Sequence, residues 1–300
     1  MSVQANASSD KAQQILPERP SLAAQNIRLF MQNPGAVAGL VYMVVITLLV
    51  VLAPLVTPYG FEEIDIRAIR KPPSVDHLLG TDNTGRDLYT RILYGGRVSL
   101  LIGLSAVIIR TAIGLVMGAI SGFFGGAVDF LIQRFVDVML TIPQIFLLLI
   151  LVGAYGPSPL VLLIGLGLLG WFPDTRIFRG QVLSIRELDY TLAARSIGRS
   201  NWGIVQKHVL PNVMHLVLVN MTLNIGAIII AEAGLSFLGL GVQQPTPSWG
   251  NIIQEANQVT RIRQFWWFWI PPGTVLVLTV ISLNLIGDAL RDILDPRRRR

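Results

Sequence analysis

The chain has 300 residues, of which 52% are hydrophobic and only 14% charged, far from the roughly one-quarter charged residues of soluble domains. The net charge of +6 does not point to nucleic acid, because the basic residues form no single aromatic-interleaved patch and fit better with sidedness across a bilayer. The lack of cysteine excludes a disulfide framework, a thiolate metal site and a thiol nucleophile.

An apolar run of about 20 residues can cross a bilayer as a helix, because only bonding within the segment satisfies its backbone there. Residues 1–35 are polar and read as a cytoplasmic N-terminal segment. The apolar run that follows is too long for a signal-peptide core and is expected to remain as an anchor. The expected spans are Ala36 to Thr57, Ser99 to Ser121, Val136 to Tyr155, Leu160 to about Gln181, Val213 to Leu235, and Phe268 to Gly287. An all-α membrane protein with six transmembrane helices over 36–287 follows. Residues 288–300 form a basic C-terminal tail, and the even count puts both termini on one side.

Loop charges orient the spans. Residues 58–97 carry six basic and six acidic residues, 173–212 carry six and three, and the tail from 287 carries five and three. Both termini and the loop at about 182–212 are therefore expected in the cytoplasm, with residues 58–97 and 236–267 outside.

In chain order, the second span carries Gly114, Gly118 and Gly122 on one helix face, a spacing that permits close helix approach, either within the chain or to a second membrane subunit. Arg110 sits near the centre of that span. It either pairs or snorkels locally, or lines a pathway and meets a substrate carboxylate. Asp129 is expected near a cytoplasmic helix start, where a carboxylate meets the positive end of the dipole. Arg134 and Asp137, three apart, can pair, and Pro143 is expected to kink the third span. The fourth span is the weakest, since its apolar part ends at Trp171-Phe172-Pro173 and "DTRIFRGQ" must complete the crossing.

The stretch "LDYTLAARSIGRSNWGIVQKHVLPN" (188–212) is the longest polar interruption in the C-terminal half. Leu192, Ala193, Ala194 and Ile197 fall at helical spacing, Gly198 interrupts, Ser200 or Asn201 offers a new N-cap, and a second short helix runs to a stop at Pro211. The segment is either an amphipathic connector on the lipid surface, with Arg195, Arg199 and Lys207 near headgroups, or a docking element for another protein. Further on, Glu232 near the outer end of the fifth span is expected to be a partly solvated structural carboxylate or part of an outer gate. The turn-rich "GVQQPTPSWGNIIQEANQ" suits a surface visited by another protein. "FWWFWIPPG" reads as an interfacial belt before the sixth span.

No Gly-Lys dipeptide occurs, so the phosphate-cradling loop of an ATPase is not expected. Metalloprotease and serine-hydrolase signatures are missing, and His77, His208 and His215 are scattered. The chain is not expected to be an enzyme.

The run "AARSIGRSNWGIVQKHVLPN" resembles the cytoplasmic EAA loop of binding-protein-dependent ABC importers, whose short coupling helix sits in a cleft of the ATPase subunit. Ala193, Ala194 and Gly198 stand at the motif's Ala-Ala-x-x-x-Gly spacing and Leu210-Pro211 at its Leu-Pro end; Leu192 occupies the place of its Glu. Five further segments, "QNPGAVAGL" (32–40), "LLGTDNTGRDLYTRILYGGRVSL" (78–100), "GFFGGAVDFLIQRFVDVMLTIP" (122–143), "AEAGLSFLGLGVQQPTPSWG" (231–250) and "NLIGDALRDILDPR" (284–297), resemble the second permease subunit of dipeptide, oligopeptide and nickel importers. The resemblance implies a type I importer permease in a bacterial or archaeal cytoplasmic membrane. It also implies a heterodimer with a homologous permease subunit, two ABC ATPase subunits holding the ATP and magnesium, and an extracytoplasmic substrate-binding protein. No cofactor is expected in this chain, and lipid is its solvent. The coupling residues it implies are Leu192, Ala193, Ala194, Arg195, Gly198, Arg199, Trp202, Leu210 and Pro211. Arg110 and Glu232 remain candidates for a pathway or gate on physical grounds alone. An ion-coupled secondary transporter working without an ATPase subunit is the alternative, and peptide, nickel chelate and glutathione are all open as cargo.

Overall fold

The computed structural model describes residues 22–294. The expected N-terminal segment before residue 22 and the basic Arg297 to Arg300 lie outside the described residues. Within 22–294 the regular elements are helices and helical turns, with one isolated bridge between Thr81 and Asp87. Five helices are long and apolar enough to cross a membrane, and six spans result if one sharply bent pair is counted as a crossing.

Helix α1 (Leu22–Met31) leads through Asn33 into α2 (Pro34–Val51) and the short α3 (Ala53–Val56). The Asn33 side chain accepts from Ala36 N, and Pro34 occupies the first turn, where its missing N–H costs nothing. After the long loop, Asp87 caps α4 (Leu88–Phe124) by accepting from Thr90 N. This helix begins well before the expected Ser99, because its polar first turns are satisfied inside the protein. Arg97, for example, donates to the carbonyls of Val50 and Val51 at 2.7 and 2.6 Å.

Helices α5 (Gly126–Thr141) and α6 (Gln144–Tyr155) meet at an angle of 80°. The kink expected at Pro143 is thus a full corner. Pro143 holds Ile142 in extended backbone (φ −94°, ψ 118°), which no helix can continue through. The fourth crossing is also in two pieces, α7 (Pro159–Leu168) and α8 (Phe172–Arg186), with the polar second piece completing it. Helix α9 (Asp189–Ser196) follows, then α10 (Asn201–Ile204) with its Ser200 cap.

The expected stop at Pro211 is not found. Helix α10 passes through one π-helical turn, Val205–Val209, into α11 (Leu210–Phe237), giving a continuous run from Asn201 to Phe237. The wider turn, in which Leu210 N bonds Val205 O, shifts the ladder so that Pro211 needs no donor. Helices α12 (Trp249–Gln254) and α13 (Val259–Gln264) lie in the last loop before α14 (Ile270–Leu294).

The glycine stripe is used within the chain. A Cβ on Gly114 would stand 2.7 Å from Asp174 Cβ, one on Gly118 2.8 Å from Thr175 O, and one on Gly122 2.9 Å from Arg179 O. Helix α8 therefore lies directly on α4 at backbone contact distance. Two apolar clusters sit at opposite ends. One joins Leu88, Ile92, Trp249, Ile252, Trp267 and Phe268, and the other joins Phe123, Phe178, Val182, Ala194, Ile204 and Val209.

Candidate functional site

The 188–212 loop forms a helix-turn-helix with two unlike sides. Thr191, Ala194, Ile204, Val205 and Val209 are buried against α4 and α8, and the Thr191 hydroxyl donates to Ile185 O at 3.0 Å. Leu192 (41% exposed), Ile197 (82%) and Trp202 (53%) are exposed, Trp202 beside a small cavity lined by Val116, Ile120 and Phe124 of α4, and Ala193, Arg195, Gly198 and Pro211 are exposed with them. Gly198 is at φ +79°, closing α9 with a left-handed residue whose N–H bonds Arg195 O; nothing would meet a Cβ there. Ala193 and Ala194, adjacent in the sequence pattern, thus part ways, the first outward and the second into the core. Arg195 lies 5.7 Å over the Phe123 ring, while Arg199 is half-buried beside Gly203, and Leu210 is half-buried where the loop enters the fifth span.

Directly behind the loop, Arg179 grips Asp129 with two bonds of 2.6 and 2.5 Å, and Ser121 also donates to that carboxylate. Asp129 does lie in the first turn of α5, and its strongest partner is a guanidinium from α8. Arg134 and Asp137 are 3.7 Å apart, and Asp137 also receives Arg176. Arg186 donates to the carbonyls of Gly122 and Phe123, tying the end of α8 to the end of α4. Under the helix-turn-helix, α5 and α8 are therefore joined by ion pairs and α4 is tied to both by hydrogen bonds.

Deeper in, Arg110 gives both arms of its fork to Asp174, each at 2.9 Å, and the Asp174 side chain is 1% exposed. This bidentate geometry neutralises a mid-span charge in place. The sequence showed Asp174 only as a carboxylate in the polar "DTRIFRGQ" end of the weakest span. Glu232 is fully buried, so the partial solvation expected for it is not found. It accepts from Ser99 at 2.8 Å and Ser236 at 2.7 Å, and so joins α4 to α11.

Sequence reasoning missed the outer charge network. Arg86 donates to Asp82 at 2.6 Å, to Gln244 at 2.7 Å and to Glu255 at 3.2 Å. Arg91, wholly buried, reaches Gln244 at 3.1 Å and lies 3.5 Å from Asp82. Burial pushes the Glu255 carboxyl above the usual carboxylate range, with Asp82 adding to the effect and Arg91 and Arg86 opposing it. Burial acts the same way on Asp82, but Arg91 and the backbone N–H groups of Arg86 and Thr84 outweigh it and hold that carboxyl below the usual range. The only local signal was "GTDNTGRDLYTR", whose charges alternate at close spacing.

Among the described residues no group of three or more His, Cys, Asp or Glu side chains is placed to hold a metal ion. Nothing in this geometry assembles a nucleophile with a base. What it offers is a helical bundle with a helix-turn-helix of exposed apolar side at one end and buried ion pairs at the other.

Residues 114–300 match the family described as binding-protein-dependent transport system inner membrane component, and residues 21–73 match the N-terminal transmembrane domain of oligopeptide transport permease C. A putative peptide permease protein of Brucella suis is 39% identical over 287 residues, covering 96% of this chain and 95% of that protein. The dipeptide transport system permease protein of Bacillus subtilis is 37% identical over 285 residues, covering 94% and 89%. The oligopeptide transport system permease protein of Haemophilus influenzae is 37% identical over 292 residues, covering 97% and 93%.

Proposed function

The chain belongs to the inner membrane components of binding-protein-dependent transport systems, and from that premise we propose that it is one half of the translocation unit of an ATP-driven importer of peptides. In that role it pairs with a homologous permease subunit, receives cargo from an extracytoplasmic binding protein and is driven by two ATPase subunits. The peptide class comes from the relatives, which are peptide, dipeptide and oligopeptide permeases. The family is a transport component and not an enzyme, and the ion-coupled alternative has no support in it.

One observation carries the mechanism. The exposed Trp202 belongs to the same unbroken helical run, Asn201 to Phe237, that crosses the membrane as the fifth span. In this reading a displacement imposed on the loop is delivered toward the outer half of the bundle along one continuous helix, through the π-helical turn at Val205–Val209. ATP binding in the partner subunits closes them, the two coupling elements move together, and the pathway between the permease subunits opens outward. Hydrolysis reverses the movement. This chain's residues bind no nucleotide and transfer no proton; they transmit motion.

In this reading the 188–212 loop and both termini are cytoplasmic. The loop at 58–97 and the segment with α12 and α13 face the binding protein. The Arg110–Asp174 and Asp129–Arg179 pairs keep α4, α5 and α8 moving as one body. The test is uptake by the complete complex in proteoliposomes: peptide accumulation should require ATP, the ATPase subunits and the binding protein together. Accumulation driven by an ion gradient with the ATPase subunits left out would refute the reading.

A further inference from the structure

Three asparagine amides stand at a depth where hydrocarbon would leave them unsatisfied. Helix α11 has 28 residues, about 42 Å at 1.5 Å per residue, and Asn224 is at its midpoint. Asn224 donates to the Asn220 carbonyl at 2.8 Å and to the Asn220 side-chain oxygen at 2.9 Å. Asn284 on α14 lies at the same depth, its Oδ1 3.7 Å from where a Cβ on Gly226 would stand. It is exposed and forms no hydrogen bond among the described residues. The Asn224 oxygen, the Asn220 amide nitrogen and the whole Asn284 amide are left without partners in the described residues.

Polar groups at mid-bilayer face water or other protein, never lipid. Here they adjoin a groove of about 320 Å³ between α8, α11 and α14, with Asn220 in its wall and His215 and Arg291 lining it toward the inner end. Asp288, nearly one turn from Arg291 on α14, is exposed beside it. Asn220, His215 and Arg291 thus place polar groups at intervals along a mainly apolar wall, from the middle of the membrane toward the inner aqueous side. A concave wall with polar groups spaced along it has the form of one side of a passage, and the small-residue ridge of Gly114, Gly118 and Gly122, where helices approach closely, is already covered by α8.

We propose that this groove is the wall of the inward half of the solute passage, and that Asn220, Asn224 and Asn284 read the solute by its backbone amides. The proposal rests on the peptide reading above and names the groups that would act on the cargo. Asn224 offers its oxygen, Asn220 its amide N–H and Asn284 both, so the set can meet N–H and C=O groups whatever side chains they carry. It adds no charge, and several weak, replaceable bonds let a solute enter without being trapped.

The chain has no cysteine, so single thiols can be read in the assembled complex of permease pair, ATPase subunits and binding protein. Negatively charged sulfonatoethyl methanethiosulfonate should modify Asn284→Cys about tenfold faster than Leu48→Cys, an exposed apolar position on α2. Saturating trialanine with its binding protein should slow that reaction. The double variant Asn224→Leu with Asn284→Leu should raise the KM for trialanine uptake about five- to tenfold. Equal labelling at the two positions would overturn the proposal, as would an unchanged KM. If the unsubstituted complex takes up no peptide, the peptide reading of the preceding subsection fails, while the labelling arm still decides whether this wall is wet.

Discussion

The two ends of the molecule handle their difficult residues in opposite ways. At the outer end, charges that would be costly to bury are buried and paired within the chain, as Arg86 and Arg91 are with Asp82, Glu255 and Gln244. Large aromatics there, including Trp249 and Phe268, are also fully covered. At the inner end, apolar residues that would gain from burial are left out, with Ile197 82% and Trp202 53% exposed. The first end thus pairs its charges within one chain, although Ile66 (78% exposed) and Val75 (95%) stay uncovered on its loops, while the other end presents its apolar residues on the crest of a helix-turn-helix. A surface of this kind, rigidly backed and apolar at its crest, is an unfinished interface.

The comparison breaks most visibly at Arg91. Replacing it by methionine leaves Asp82 and Glu255 facing a single guanidinium in a buried site, and removing one partner of such a set typically costs about 3–5 kcal/mol. Denaturation of the isolated chain in detergent should show that loss for Arg91→Met. It should show a change within about 0.5 kcal/mol for Ile197→Asp, since substitutions at an exposed crest leave the fold alone. In the complex the order should reverse, with Ile197→Asp abolishing ATP-driven uptake. Comparable destabilisation of the isolated chain by both variants would remove the distinction between the two ends.

A smaller effect sharpens the same contrast through pH. The Glu255 carboxyl is held above the usual range, so the folded state binds that proton more tightly than the unfolded chain, and stability rises as pH falls through the Glu255 titration. The Asp82 carboxyl is held below the usual range, so its contribution is present above the unfolded value and is lost as pH falls further, through its own titration. The thermal midpoint of the isolated chain should therefore rise on mild acidification and fall below the usual carboxylate range. Glu255→Gln should erase the rise. A midpoint that only falls with acid, in both proteins, would contradict this account of the outer end.

What the sequence could disclose was what is local. Five crossings and a sixth bent one, a bend at Pro143, the cap and break around Gly198 and Ser200, and the close approach at Gly114, Gly118 and Gly122 all follow from short windows. The ends of helices were harder. Hydropathy excluded the first turns of α4 because Arg91 and Arg97 look like loop residues, yet Arg97 bonds the carbonyls of Val50 and Val51 and Arg91 reaches Gln244, all far along the chain. Pro211 looked like a terminator because a π-helical turn cannot be read from residue types. The pairings were hardest of all. Arg110 and Asp174 are 64 residues apart, and neither helix alone announces the other. The same holds for the opposite fates of Ala193 and Ala194, which depend on which side of α9 meets the bundle.

The claim that the inner element is a surface finished by an ATPase subunit is tested most directly by labelling Ile197→Cys with a membrane-impermeant maleimide in inside-out vesicles. Reaction should be fast when the two permease subunits are present alone and about tenfold slower or more once both ATPase subunits are bound, because a seated apolar crest is closed to solvent. A labelling rate unchanged by the ATPase subunits would mean that the loop stays bare in the working transporter, and the coupling account would be wrong.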